Sequence, residues 1–74
     1  MQARSLNNIS FAFLEMNALD SAEYYALLCA KVSVHHKNYY VNGFANRTLG
    51  DIQARKKNYN GAINYYLKAI SIGQ

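Results

Sequence analysis

The stretch LGDIQARKKNYNGAINYYLKAI, residues 49–70, decides the fold of this chain. Large and small residues recur in it at helical spacing on both sides of a polar break at Lys57-Asn58. A small residue such as Gly50 or Ala62 lets two helix backbones approach each other, and a large residue such as Tyr66 at the facing position fills the gap. The stretch therefore predicts the end of one helix, a tight turn and a second helix packed against the first.

The same spacing predicts four helices, at about 3–16, 19–34, 39–57 and 59–72, and proline, which would interrupt them, is absent. Breaks are expected at 17–18, 35–38 and 57–58, and Gly73 is placed to end the fourth helix. Gly43 lies inside the third helix, where it should weaken the helix by about 1 kcal/mol relative to alanine. The expected packing faces are, in chain order, Leu6, Ile9, Phe13 and Met16; Ala22, Tyr25, Ala26, Cys29, Ala30 and Val32; Val41, Ala45, Leu49 and Ile52; Ala62, Tyr65, Tyr66, Ala69 and Ile70.

The four predicted helices form two hairpins that align with each other at an offset of 40 residues. The size classes agree at the aligned positions, although few residues are identical. The aligned pairs are Ile9 with Leu49, Ser10 with Gly50, Leu19 with Tyr59, Ala22 with Ala62, Tyr25 with Tyr65, Leu27 with Leu67, Cys29 with Ala69 and Val32 with Ile72.

The second hairpin resembles a tetratricopeptide repeat. The resemblance rests on the spacing of Leu49, Gly50, Tyr59, Ala62, Tyr66 and Ala69. The first hairpin looks like a degenerate repeat, carried by Ile9, Ser10, Leu19, Ala22 and Cys29. The resemblance implies an all-α fold of two stacked antiparallel hairpins in one domain, 1–74, with repeat one at about 3–36 and repeat two at about 39–73. In this arrangement the family forms an α-solenoid.

Two features depart from the family pattern. Ala26 and Asn46 stand where bulkier residues are usual. The period is 40 rather than the common 34, with the additional residues expected around 35–43. A period of 40 is similar to the longer-helix branch of the family, which occurs in signalling scaffolds, peptide-sensing regulators and transcriptional activators.

The resemblance also implies a function, because in this family the first helix of each repeat lines a concave groove that binds a peptide or helix of a partner protein. Asparagine and arginine side chains can hydrogen-bond such a ligand, and phenylalanines can anchor it. The alternative for each single residue is an ordinary position on a solvated helix face. The positions of this chain that correspond to the groove of the family are Arg4, Asn7, Asn8, Phe11 and Glu15 in repeat one, and Phe44, Arg47, Thr48, Asp51 and Arg55 in repeat two.

One branch of the family clamps the C-terminal carboxylate of its ligand with lysine, asparagine and arginine from three repeats. This chain has Asn7 where the clamp needs lysine, and it offers two repeats. Asn8, Arg47 and Thr48 do not reconstitute the clamp. That specificity is therefore not expected here.

The net charge of +4 lies in the second half of the chain. Residues 1–37 carry three basic and three acidic residues, whereas residues 38–74 carry five basic residues and Asp51. The excess suits an acidic partner, and it leaves a basic nucleic-acid or anionic-surface binder as the alternative function. The run Arg55-Lys56-Lys57 is also explained by cations placed at a negative helix C-terminus.

No catalytic constellation is visible, so we expect a non-enzymatic protein without a metal or cofactor. His35-His36 lacks a third ligand at plausible spacing and favours a solvated loop. Cys29 lies among small residues and should be a buried, inert thiol. No apolar leader or 20-residue apolar run is present, which favours a cytoplasmic setting and no membrane contact.

The length of 74 residues limits the core that a single domain can bury. Repeat arrays usually need about three units, because each unit covers the apolar face of the next. Tyr65, Leu67 and Ile70 cannot all be covered within two hairpins. We therefore expect either a longer array or self-association through the last hairpin.

Overall fold

The computed structural model describes residues 3–72, and all of the regular secondary structure in that range is α-helical. The helices are α1 (Ala3–Glu15), α2 (Leu19–His35), α3 (Tyr39–Arg55) and α4 (Tyr59–Ile72). The prediction of four helices in an all-α chain is confirmed. The helix ends differ from the predicted ones by at most two residues, and His35 belongs to α2 rather than to the break. Gly73, predicted to end α4, lies outside the described residues.

The three connections share one geometry. Each contains a residue with positive φ, at Asn17 (60°), Lys37 (56°) and Lys57 (65°), spaced 20 residues apart. In each connection this residue and the next donate their backbone N–H groups to carbonyls of the preceding helix, three and five residues back respectively. This pattern is a Schellman motif, which satisfies the last carbonyls of a helix and stops it sharply.

The three connections between helices have the same length, which shows where the additional residues of the 40-residue period lie. The predicted place was around 35–43, but the connection there, residues 36–38, is no longer than the other two. Instead α2 and α3 each extend to 17 residues. Helix length therefore accounts for the 40-residue offset between the hairpins.

Helix α3 is the central element of the fold. It packs against α4, α2 and α1, and α1 also packs against α2. Within the described residues, α2 and α4 do not pack directly against each other. The α1/α3 side of the molecule is thus a continuous two-helix surface, whereas α2 and α4 stand apart on the other side.

The core follows the predicted face of α3 but only part of the others. Val41, Ala45, Leu49 and Ile52 are all buried, as predicted. Met16, predicted to be packed, is 72% exposed. Leu14 is buried instead. The Schellman turn ends α1 at Glu15, so Met16 no longer continues the packing face of the helix.

Helix α4 contributes little to the core. Ala62 is buried, and Tyr65, Tyr66 and Ala69 are half-buried. Ile70 was predicted to pack but is 61% exposed. It is exposed because only α3 contacts α4, so a single face of the helix is covered.

Small residues set the close contact between α3 and α4, as the sequence predicted. The ring of Tyr66 lies over Gly50, where a β-carbon would come within 2.6 Å of a ring carbon. Gly43 faces the backbone of Ala69, and a β-carbon there would lie 3.8 Å from the Ala69 carbonyl oxygen. Gly50 is therefore required for the packing of Tyr66, whereas Gly43 lies at ordinary contact distance.

The contact between the two hairpins is unexpectedly polar. The buried Asn42 donates to the Ala30 carbonyl oxygen at 2.9 Å and to Ser33 Oγ at 3.1 Å, both on α2. Asn46 donates to the Asn42 side chain at 3.0 Å. Buried polar groups are tolerated when they are paired in this way. Among the described residues, every buried side-chain nitrogen and oxygen has a partner.

Within residues 3–72, none of the helices combines the length and the apolar character needed to cross a bilayer.

Candidate functional site

A cleft of about 310 Å³ opens between α1 and α3. We call it the α1/α3 cleft. Its wall on α1 is polar, and its wall on α3 is largely apolar. Each helix presents one face to the cleft and buries another in the core. The lining residues are Arg4, Asn7 and Asn8 on α1, and Tyr40, Val41 and Phe44 on α3.

The apolar wall is built on an aromatic pair. The rings of Tyr40 and Phe44 meet edge to face, with centroids 5.0 Å apart and planes at 82°. These residues are four apart and therefore neighbours on the helix surface. Tyr40 is 74% exposed and Phe44 is 41% exposed. A paired aromatic surface open to solvent can bind an apolar side chain with little cost of ordering its own side chains.

The same aromatic pair borders a second cleft, of about 250 Å³, between α3 and α4. Its floor is formed by Gly43 and Ala69, and Ile70 and Arg47 lie at its sides. Tyr40 and Phe44 thus form a ridge between the two clefts. A different arginine stands beside each cleft, Arg4 at the first and Arg47 at the second.

The side chain of Asn7 is held in place from α3. The hydroxyl of Thr48 donates to Asn7 Oδ1 at 3.1 Å. The hydroxyl oxygen of Thr48 also lies 3.0 Å from the Phe44 carbonyl oxygen. Because Asn7 accepts through its oxygen, its amide NH₂ group is the part that can donate to a ligand.

The structure therefore brings together five of the predicted groove residues. Arg4, Asn7, Asn8 and Phe44 line the α1/α3 cleft, and Thr48 is buried behind it and positions Asn7.

The other predicted residues lie elsewhere. Asp51 accepts a hydrogen bond from the Tyr66 hydroxyl on α4. Arg55 donates to the Leu14 carbonyl oxygen at 2.8 Å, at the C-terminal end of α1. Arg47 lies at the second cleft, and Phe11 and Glu15 are exposed.

Sequence reasoning missed Tyr40 and Val41 as residues of the cleft. Val41 was assigned to the core, where it is indeed buried. Tyr40 lies one helical turn before the predicted Phe44. That four-residue spacing between two aromatic residues was the signal that could have identified it.

The positive charge of the second hairpin is partly balanced by the first. Lys56 Nζ lies 3.2 Å from Glu23 Oε1 and 3.3 Å from Asp20 Oδ1. The hydrogen bond with Glu23, with a further contribution from Asp20, raises the pKa of Lys56. Gln53 also donates to Glu23, at 2.6 Å. Two members of the basic run at the end of α3, Arg55 and Lys56, thus contact the first hairpin as well as lying at a helix C-terminus.

Two further side chains have perturbed pKa values for local reasons. The hydrogen bond to Asp51 raises the pKa of Tyr66 to about 12, with burial contributing in the same direction. Burial raises the pKa of the Cys29 thiol, which donates to the Ala3 carbonyl oxygen at 3.1 Å. Cys29 is fully buried, as predicted. A buried thiol of raised pKa is a poor nucleophile.

The histidines of the second connection lie at the surface. The rings of His35 and His36 meet edge to face with centroids 5.2 Å apart, and both residues are exposed. Across residues 3–72, no group of three histidine, cysteine or carboxylate side chains is close enough to hold a metal ion.

Comparison of the chain with protein-family models, with curated proteins and with solved structures finds no match.

Proposed function

We propose that this chain is a pair of tetratricopeptide-like repeats that acts as a non-enzymatic protein-binding module. Three features support a repeat of this kind. The two hairpins turn at equivalent residues, Asn17 and Lys57. Gly50 receives the ring of Tyr66. Helix α1 packs on both α2 and α3.

The observation that carries the proposal is the α1/α3 cleft. It combines amide and guanidinium donors on one side with an exposed aromatic pair on the other. Small clefts of this composition suit a peptide or helix that offers both an apolar side chain and polar backbone or carboxylate groups. The ligand we propose is a segment of a partner protein with an apolar residue next to an acidic one.

The alternative of a nucleic-acid or anionic-surface binder is less well supported. It depended on the charge of the second half of the chain, and Lys56 is engaged by Asp20 and Glu23 on the first half. A module within a cytoplasmic signalling or regulatory scaffold is in keeping with the free, buried thiol of Cys29.

The proposal is tested by selecting ligands from a random peptide library and measuring their affinity for the whole chain by fluorescence anisotropy. We expect the selected peptides to be enriched in apolar residues flanked by Asp or Glu. The double variant Asn8→Ala/Phe44→Ala should weaken binding at least about tenfold, which is about 1.4 kcal/mol. Both residues are exposed, so the fold should be unchanged.

The matched control is Tyr24→Ala, which removes an aromatic residue that is 63% exposed on α2, outside the cleft. It should leave the affinity unchanged. The cleft would be excluded as the binding site if Tyr24→Ala weakened binding as much as the double variant. Binding of DNA or RNA that falls steeply with salt would instead favour the alternative function.

A further inference from the structure

One face of α4 is apolar and open to solvent. Its residues recur every three or four positions and therefore lie on one side of the helix. Each of them is more than half exposed, and together they form the α4 outer face: Tyr59, Ile63, Leu67 and Ile70.

The relation between the two hairpins indicates what such a face contacts. Helix α2 is the equivalent of α4, forty residues earlier, and α3 packs against it. On α2 the contact with α3 includes Glu23 and the carbonyl of Ala30. Their equivalents on α4 are Ile63 and Ile70. Ile63 and Ile70 of the α4 outer face thus lie where α2 receives a following helix.

A matching surface exists on α1, the equivalent of α3. The α3 residues that contact Glu23 are Gln53 and Lys56. Their equivalents on α1 are Phe13, which is half-buried and stacks on Tyr25 of α2, and Met16, which is 72% exposed. Between the hairpins, the contact therefore joins a carboxylate to an amide and an ammonium group. On α4 and α1, the equivalent positions Ile63, Phe13 and Met16 are apolar.

We propose that a second copy of this chain docks through these surfaces, with the α4 outer face of one copy against the Met16 edge of α1 in the next. The contact repeats the stacking of α3 on α2, with Ile63 against Met16 in place of Glu23 against Lys56. Because two different surfaces meet, each copy keeps one of them free, and the assembly is head-to-tail and open-ended. The α1/α3 cleft takes no part in it, so the assembly is independent of the proposed ligand site.

The first test is the mass of the chain in solution, measured by sedimentation equilibrium. We expect the average mass to rise with concentration between about 10 µM and 1 mM and to exceed that of a dimer. Met16→Lys and Ile63→Lys each place a charge in the contact and should each weaken association at least about tenfold. Both positions are exposed, so far-ultraviolet circular dichroism should be unchanged.

Mixing the two variants gives the decisive result. The Met16→Lys chain retains its α4 outer face, and the Ile63→Lys chain retains its α1 edge. The other possible contact would oppose two ammonium groups. An equimolar mixture should therefore form one intact contact and stop at twice the 8.4 kDa chain mass, although each variant alone is monomeric. Val34→Asp, on an exposed part of α2, is the control and should associate as the unmodified chain does.

Three results would overturn the proposal. A chain that remains monomeric at about 1 mM has no such contact, and its α4 outer face is then free for another protein. If Met16→Lys associates normally while Ile63→Lys does not, the contact joins two α4 faces symmetrically. If Val34→Asp abolishes association, the contact lies on α2.

Discussion

The contact between Gly50 and Tyr66 makes a quantitative prediction about stability. A β-carbon on Gly50 would lie 2.6 and 2.7 Å from two carbons of the Tyr66 ring. The ring cannot easily retreat, because its hydroxyl donates to Asp51. Gly50→Ala should therefore push α4 away from α3 or break that hydrogen bond.

Two effects of opposite sign determine how far Gly50→Ala changes the free energy of unfolding. Replacing glycine by alanine inside a helix stabilises the folded state by about 1 kcal/mol. Overpacking an already filled contact costs about 1–3 kcal/mol. Gly50→Ala should therefore lower the free energy of unfolding by up to about 2 kcal/mol.

Gly43→Ala is the matched control, since it places the same substitution in the same helix. A β-carbon there would lie 3.8 Å from the nearest atom, the Ala69 carbonyl oxygen. Only the gain from the higher helix propensity of alanine then remains, and the variant should be more stable by about 1 kcal/mol. Urea unfolding followed by circular dichroism should separate the two variants by about 1–3 kcal/mol. In thermal unfolding each kcal/mol corresponds to about 4–8 °C for a domain of this size.

The reasoning is refuted if Gly50→Ala stabilises the chain as much as Gly43→Ala does. A double-mutant cycle identifies the cause. In a Tyr66→Ala background the obstructing ring is absent, so Gly50→Ala should become stabilising by about 1 kcal/mol. If Gly50→Ala remains destabilising there, something other than Tyr66 limits the space.

Three further outcomes are expected. One of the seven tyrosines should titrate near pH 12 in ultraviolet absorbance, and Tyr66→Phe should remove that transition. Because the pKa of Tyr66 is raised above its ordinary value of 10.0, the hydrogen bond to Asp51 stabilises the fold fully below pH 10 and is lost between pH 10 and 12. Asn42→Ala removes the side-chain hydrogen bonds to the Ala30 carbonyl and to Ser33 on α2 and should cost about 1–3 kcal/mol in urea unfolding, whereas a cost near zero would mean that water replaces the amide. Cys29 should react with a disulfide thiol reagent far more slowly in buffer than in concentrated urea, and equal rates would show that the α1–α2 contact opens readily.

The candidate site was predictable in part. Asn7, Asn8 and Phe44 were assigned to one surface, and the fold places them in one cleft. Asp51 and Arg55 were assigned to the same surface but are bonded to Tyr66 and to the Leu14 carbonyl. Helical spacing identifies the direction in which a side chain leaves its helix. It does not identify which neighbouring helix supplies a partner along that direction.

What the sequence determined by itself was local. The breaks at 17–18, 35–38 and 57–58 and the small residues at Gly50 and Ala62 predicted four helices and their close pairing. These features act within a single turn or a single helix pair, so they can be recognised without the rest of the fold.

The tertiary structure decided the contacts between the hairpins. It places Asn42 against Ser33 and Lys56 against Glu23, joining residues that looked like unrelated polar positions in the sequence. It also leaves Met16 and Ile70 exposed, against prediction. The physical reason is that burial depends on how many neighbours a helix has. The periodicity of a sequence marks an apolar face, but only the packing of the whole chain determines whether another helix covers it.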